Sequence, residues 1–421
     1  MAVRTVERKD FHWTFGAFAT VGLAGLILNQ VVSTKFGVAA LGRYTLLLSV
    51  VIIGGQIGTM GIQGSVLFHT PKASTEGRPT SPLLSAGLLA TFLTSAVATS
   101  AILVGGEIIF RSLDNQFFLG GLRAIALGLF LYPMNKTMLA YINALQRVPL
   151  FSVFFASRFV FLAALALVVA LTDNSGDYLI WTISLTELLM AFFLTLSLKR
   201  EIKFLRNWEE LRIPFRAHLE FGFKGFLGST LLDLNTRIDV LLLGAIAGSR
   251  SVGIYSIASL FAEGLYQAGT VPRFNYDPVV TRLFVESQYK ELQNVVSAAK
   301  RRLYMVGLPV LLLANILYPI VVKVLFGDEL ATESQAVFLI LTLGIAASVG
   351  YLPFVGILQQ VGFPGRQSML LASTAGTNLI LNLALIPPMG VRGAALATTL
   401  SWVAFVIFLR KIARPILRFA I

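Results

Sequence analysis

Residues 229–256 read STLLDLNTRIDVLLLGAIAGSRSVGIYS. Most of this stretch has the apolar density of a helix that crosses a membrane, which takes roughly 20 largely apolar residues. Yet Asp233, Arg237 and Asp239 lie inside it. Its end, AGSRSVGIYSIASL (247–260), can be laid over FGVAALGRYTLLLS (36–49). Gly37, Gly42 and Tyr44 then match Gly248, Gly253 and Tyr255. One stretch therefore poses two questions: what charge is doing in a span, and whether the chain is built twice.

Composition sets the class. The chain has 421 residues, 56% hydrophobic and 13% charged, with a mean hydropathy of +0.77. Soluble domains carry about 25% charge, and a soluble chain this apolar could not cover its own surface. About twelve long apolar runs follow one another: 14–34, 44–67, 83–104, 117–139, 150–171, 178–198, 220–246, 254–274, 303–326, 335–357, 367–386 and 393–411. They are continuous and do not alternate, which excludes a strand barrel. The expected fold is an all-α polytopic membrane protein with about twelve transmembrane helices. The N-terminal MAVRTVERKDFHW leads into an apolar run without a small-residue cleavage site, as an uncleaved first span does.

The net charge of +13 does not point to nucleic acid, because the basic residues fall between the apolar runs. With the N-terminus inside, the inner segments hold 22 Lys and Arg against 5 in the outer loops, so both termini are expected in the cytoplasm. The absence of cysteine excludes disulfides, thiolate metal sites and cysteine nucleophiles. His12, His69 and His218 are scattered and predict no metal site. No Gly-rich loop ending in Lys-Ser/Thr occurs, so that route to ATP hydrolysis is closed.

The longest basic break, LKREIKFLRNWEELRIPFRAHL (198–219), sets Phe204, Leu205, Trp208 and Leu211 at helical spacing. It predicts an amphipathic helix on the inner surface or a solvated linker. It divides the chain into a six-helix bundle over 1–198, a linker over 199–219 and a second six-helix bundle over 220–421. LQRV (145–148) over LQQV (358–361) extends the repeat at a near-constant offset of about 211 to 213. Repeats separated by an even number of spans are parallel, related by an axis along the membrane normal.

Three stretches resemble the multidrug/oligosaccharidyl-lipid/polysaccharide exporter superfamily, in its polysaccharide transporter (O-antigen flippase) branch. They are FGVAALGRYTLLLSVVIIGGQIGTMGIQGSV (36–66), IDVLLLGAIAGSRSVGIYSIASLF (238–261) and LNLALIPPMGVRGAALATTLSWV (381–403). The resemblance implies two six-helix bundles forming a V around a central cavity, working by alternating access. It implies as cargo a polyprenyl-diphosphate-linked oligosaccharide of O-antigen, capsule or exopolysaccharide, moved from the cytoplasmic to the periplasmic leaflet of a bacterial inner membrane. A polymerase and glycosyltransferases are then the expected partners, beside membrane lipids. The drug-exporting branch implies the alternative, an ion-coupled antiporter of small organic cations.

Ionisable residues inside spans are functional candidates by default. Arg123, Arg158, Arg237 and Lys136 are the candidates for a cavity that holds an anionic head group, since guanidinium groups grip phosphate bidentately. Lys224, Arg273 and Lys323 fall near span ends, where snorkelling explains them. Asp233 and Arg237 are four apart and would pair on one helix face. That pair either holds helices in register or sets Arg237 on the cavity wall. Asp239 faces elsewhere and binds a coupling ion, Na+ or H+, or pairs with a base on another helix. Glu187 and Glu263 are coupling candidates too, or polar groups satisfied within the bundle. A membrane-embedded glycan polymerase is the enzymatic alternative, but every outer loop is short, so no enzyme and no cofactor is expected.

Overall fold

The structure is a computed structural model that describes residues 8–112, 116–202, 208–235 and 237–419. These form α1 (Arg8–Phe36), α2 (Val38–Thr59), α3 (Ile62–Thr75), α4 (Ser81–Ser112), α5 (Gln116–Ala144), α6 (Val148–Thr172) and α7 (Trp181–Ser197). They continue as α8 (Trp208–Asn235), α9 (Ile238–Thr270), α10 (Arg273–Val285), α11 (Tyr289–Phe326) and α12 (Asp328–Ser348). A 3-10 segment (Val349–Phe354), α13 (Ile357–Gln360) and α14 (Pro364–Leu417) complete the chain. Hydrocarbon offers backbone amides no water, so each segment closes its hydrogen bonds within itself. Among the described residues, nine helices are long and apolar enough to cross a membrane, and Trp181–Ser197 is a shorter apolar one. The protein is an all-α, multi-pass membrane protein.

The structure departs from the expected spans inside two of the runs. The run 44–67 is not one helix: Met60 (φ 47°) and Gly61 (φ 75°) end α2 and start α3. The run 220–246 is not continuous either, because α8 ends at Asn235 and Arg237 stands at the N-cap of α9 with φ −136°. α9 is itself two helices joined at Gly248 (φ 81°), and α14 is two joined at Gly390 (φ 56°), just after Pro387 and Pro388. The two prolines remove backbone donors there, and Gly390 takes a φ that costs a residue with a side chain.

The chain forms two compact units: residues 1–36 with 46–233, and residues 37–45 with 234–421. In the first, α4 packs on α5, α5 on α7 and α1 on α6. In the second, α11 packs on α12, and α12 and α9 both pack on α14. The two units share a plan. Left-handed positions recur in the same order, Gly37, Gly77, Gln146 and Gly176 in the first half against Gly248, Ser287, Gly362 and Gly390 in the second. α4 then corresponds to α11, α5 to α12, and α6 and α7 to the two arms of α14.

The repeated glycine–tyrosine motif has a physical basis. Within the second unit the start of α2 crosses α9, and each helix brings a glycine to the other's backbone. A Cβ on Gly42 would meet the carbonyl oxygen of Ser249, and a Cβ on Gly253 would meet that of Val38. Tyr44 and Tyr255 are both buried behind this crossing. Backbone cannot yield as a side-chain tip can, so Gly253→Ala should destabilise by about 1–3 kcal/mol. Gly105 on α4 has open space around it, and Gly105→Ala should be neutral or stabilise by about 1 kcal/mol. Thermal unfolding of the two variants in detergent checks this; equal midpoints would refute the close crossing.

Of the residues expected on the apolar side of a linker helix, Leu211 faces protein and Trp208 is exposed. From Trp208 on the linker belongs to α8, with Leu211 buried and Phe215 and Leu219 packed on a core of Ile62, Val66, Leu84, Leu88, Ile142 and Leu194. Residues 203–207, including Phe204 and Leu205, lie outside the described residues. His218 is fully buried there, its Nε2 donating to the Leu83 carbonyl at 3.0 Å with Nδ1 2.9 Å from Ser65 Oγ. It is a satisfied core histidine, and among the described residues no cluster could hold a metal ion.

Candidate functional site

In the first unit α5, α6 and α7 converge on a buried ion pair. Arg158 Nε lies 2.8 Å from Glu187 Oε1, with side-chain exposures of 14% and 4%. Nη2 of Arg158 donates to Oε2 at 3.2 Å. Asn135 Nδ2 donates to both Glu187 Oε2 (2.8 Å) and the Glu187 carbonyl (2.9 Å). The guanidinium lies over the Tyr132 ring, 4.4 Å from its centroid, a cation–π contact that gains from desolvation. One turn away Ser184 enters the α5 hydrogen-bond ladder. It accepts from Gly128 N at 3.0 Å and donates to Ala124 O at 2.6 Å, bridging the two ends of that rung of the helix. The arrangement neutralises Arg158 and Glu187 against each other and locks three helices in register. The sequence suggested these two residues for separate roles.

Lys136, one residue beyond Asn135, donates from Nζ to Gln56 Oε1 of α2 at 2.5 Å. Gln56 lies one turn before the Met60–Gly61 break, so Lys136 buttresses the end of α2. Arg123 is not deep. It lies in the second turn of α5, 65% exposed, and shares Glu107 with Arg111, each at 3.0 Å. This is an end-of-span cluster. Lys323 with Asp328 (2.8 Å) and Arg273 with Asp277 (2.9 Å) are also ion pairs near helix ends.

The three charges of 229–256 separate in the structure. Because α8 stops at Asn235, Asp233 and Arg237 do not share an uninterrupted helix, and the four-residue spacing no longer implies one face. The Asp233 side chain lies outside the described residues. Asp239 is in the first turn of α9, only 8% exposed. Backbone Val240 N donates to its Oδ1 at 2.8 Å, and Tyr255 Oη donates to Oδ2 at 2.5 Å. Thr398 of α14 lies 3.5 Å from Oδ2. The break in the chain explains why a carboxylate is tolerated there. It creates a helix N-terminus whose free N–H groups and dipole favour negative charge, inside a bundle that supplies hydroxyl donors. Arg237 is half-buried and within electrostatic range of Asp239 and of Glu263. Among the described ion pairs none involves Asp239.

Next to this group α14 holds a second buried polar network. Asn382 Nδ2 donates to Asn378 Oδ1 (2.5 Å), and Asn378 Nδ2 donates to Ser401 Oγ (3.1 Å). Asn382 Oδ1 is buried without a partner among the described residues. Sequence reasoning missed Asn135, Tyr132, Tyr255 and Thr398 because it ranked in-span residues by charge. Uncharged polar residues inside apolar runs were the available signal.

Comparison with known proteins follows the same lines. Residues 31–333 match the Polysaccharide biosynthesis protein family. The chain is 22% identical over 394 residues to the probable flippase AglR of Haloferax volcanii, covering 92% of this chain and 79% of that protein. It is 28% identical over 142 residues to the amylovoran biosynthesis protein AmsL of Erwinia amylovora, about a third of each chain. Among solved structures, the lipid II flippase MurJ superposes with a TM-score of 0.74 at 13% identity, covering 93% of this chain and 85% of that one. An inward-facing multidrug resistance MATE transporter gives 0.70 at 14% identity, covering 95% of each. Both likenesses are of fold alone, and the family match spans well over half of the sequence: the chain belongs to the Polysaccharide biosynthesis protein family.

Proposed function

We propose that the protein is a flippase for a polyprenyl-diphosphate-linked oligosaccharide, carrying it from the cytoplasmic to the periplasmic leaflet of a bacterial inner membrane. The observation that carries this reading is the family match over residues 31–333, together with the likeness to AglR along nearly the whole chain. The cargo would be a unit of O-antigen, capsule or exopolysaccharide, handed over by glycosyltransferases and passed to a polymerase. Both termini lie in the cytoplasm on this reading, as the Lys and Arg distribution requires. Arg123, Arg158, Arg237 and Lys136 are the basic residues proposed for a diphosphate; Arg158 is ion-paired with Glu187 and Arg123 with Glu107. Asp239 and Glu263 are the proposed coupling carboxylates for Na+ or H+.

A second reading, an ion-coupled exporter of small organic cations, draws support from the MATE-like fold and from Glu263. Deleting the gene separates the two. Loss of surface glycan with accumulation of lipid-linked repeat units inside is the expected result. Intact glycan with hypersensitivity to tetraphenylphosphonium would replace the first reading by the second.

A further inference from the structure

α11 displays the face that a helix of this protein presents to lipid. Its exposed side chains include Met305, Leu312, Leu313, Ile316, Ile320 and Val324, all large and apolar. α9 is also long and apolar, yet beyond Ile246 it exposes no large hydrophobic side chain. Along positions 251–270 the exposed residues are Glu263, Gly264, Gln267 and Ala268. Of these, Glu263 and Gln267 share one helical stripe with Ser259, Tyr266 and Thr270, at intervals of three and four residues. A carboxylate and an amide directed at hydrocarbon cost several kcal/mol, so this face looks onto a polar space.

The stripe ends against an aromatic pair. Tyr266 stacks on Trp402 of α14, ring centroids 5.3 Å apart and planes 20° from parallel, both half-buried. Among the described residues, no hydrogen bond or ion pair engages the Glu263 carboxylate, the Gln267 amide, Tyr266 Oη or Trp402 Nε1. The polar atoms of both stacked rings thus have spare hydrogen-bonding capacity, as do Glu263 and Gln267 on the Tyr266 stripe. The combination suits one chemistry. A pyranose offers an apolar C–H face to an aromatic ring and a rim of hydroxyls to carboxylate and amide groups. A bare hydrocarbon chain would leave all four polar groups unsatisfied, and a diphosphate would be repelled by Glu263.

Building on the flippase reading, we infer that Glu263, Tyr266 and Gln267 of α9, with Trp402 of α14, form a sugar-binding strip for the first sugars of the cargo. The strip binds the glycan and leaves the diphosphate to basic residues elsewhere. Stacking on a ring's C–H face tolerates sugar identity, so a single N-acetylglucosamine suffices as the probe.

The test uses the full chain in lipid nanodiscs, with Trp13→Phe, Trp181→Phe and Trp208→Phe leaving Trp402 as the reporter. Three probes are titrated: farnesyl-diphospho-N-acetylglucosamine, farnesyl diphosphate and tetraphenylphosphonium. The glycosylated probe should change Trp402 emission and bind about tenfold more weakly to Tyr266→Leu, the loss of one aromatic contact. Gln267→Leu, at an exposed position where folding is not at stake, should weaken it too. Binding of farnesyl diphosphate should be unaffected by either variant. If both isoprenoid probes bind but neither variant distinguishes them, the sugar strip is refuted and the flippase reading stands. If tetraphenylphosphonium alone binds and Glu263→Gln abolishes it, both fall together.

Discussion

Replacing Glu187 by Leu should cost the protein about 3–5 kcal/mol, because it strands the Arg158 guanidinium inside α5, α6 and α7 without its counter-charge. Arg158 is 14% exposed and Glu187 4%, so solvent offers neither a substitute partner. Arg158→Met should be as damaging, by the mirror argument. The double variant Arg158→Met/Glu187→Leu removes both charges and keeps volume, and should recover most of the loss, as buried pairs do when replaced together. A thermal unfolding midpoint in detergent reads the cycle. If the double variant is as unstable as the singles, the pair does not act as a unit. Glu187→Gln decides between a structural and a coupling role. The amide can still accept from Arg158 and from Asn135, whose Nδ2 also holds the Glu187 carbonyl. A structural Glu187 therefore predicts a partly destabilised variant that still transports with its ion dependence intact.

This pair also shows where sequence reasoning stops. The class of the protein and its twofold plan follow from residue counts and motif spacing, because hydrocarbon forces every span to be long, apolar and helical. The glycine–tyrosine motif was legible as a repeat, and its cause, a backbone crossing at Gly42 and Gly253, needs only glycine's missing Cβ. Side-chain partnership is different. Arg158 and Glu187 lie 29 positions apart on separate helices, and nothing in a linear pattern joins them. Nor did the apolar run 220–246 reveal that its helix ends at Asn235 and resumes at Ile238. No proline or glycine marks that break. Asn235 and the Thr236-x-x-Asp239 spacing of a helix start were its trace, and helical spacing applied across it paired Asp233 with Arg237 on an assumption the backbone does not meet. Arg123 is a related case: it falls eight residues into α5, yet its side chain is 65% exposed and shares Glu107 with Arg111.

The largest functional effect is expected at Asp239. The two units repeat, but the carboxylate does not. By the Gly37–Gly248 alignment Tyr44 matches Tyr255, whereas Leu28 occupies the place of Asp239; by the Gly176–Gly390 alignment Ser184 occupies that of Thr398. In the first unit Ser184 spends its hydroxyl on the α5 ladder. In the second, Tyr255 Oη and Val240 N converge on a carboxylate. Among the described residues, only the second unit therefore has a buried acid set at a helix start; in the proposed coupling role it would exchange a bound cation for the hydrogen bonds from Tyr255 and Thr398. An ion drives transport only if it binds one conformation better than another. Asp239→Asn keeps the shape and the acceptor for Val240 N, turns the Tyr255 contact into a donation from its own Nδ2, and deletes the charge, so the variant should fold, bind cargo and lose the driving force. In proteoliposomes carrying a Na+ or proton gradient, uphill accumulation by Asp239→Asn should fall to a ratio of about one, with downhill exchange preserved. Tyr255→Phe, which removes one donor and no charge, should shift the ion concentration needed by about tenfold, the worth of one hydrogen bond to a charged group. Gradient-driven accumulation surviving in Asp239→Asn would move the coupling role to Glu263, whose own Gln variant is then the one to lose it.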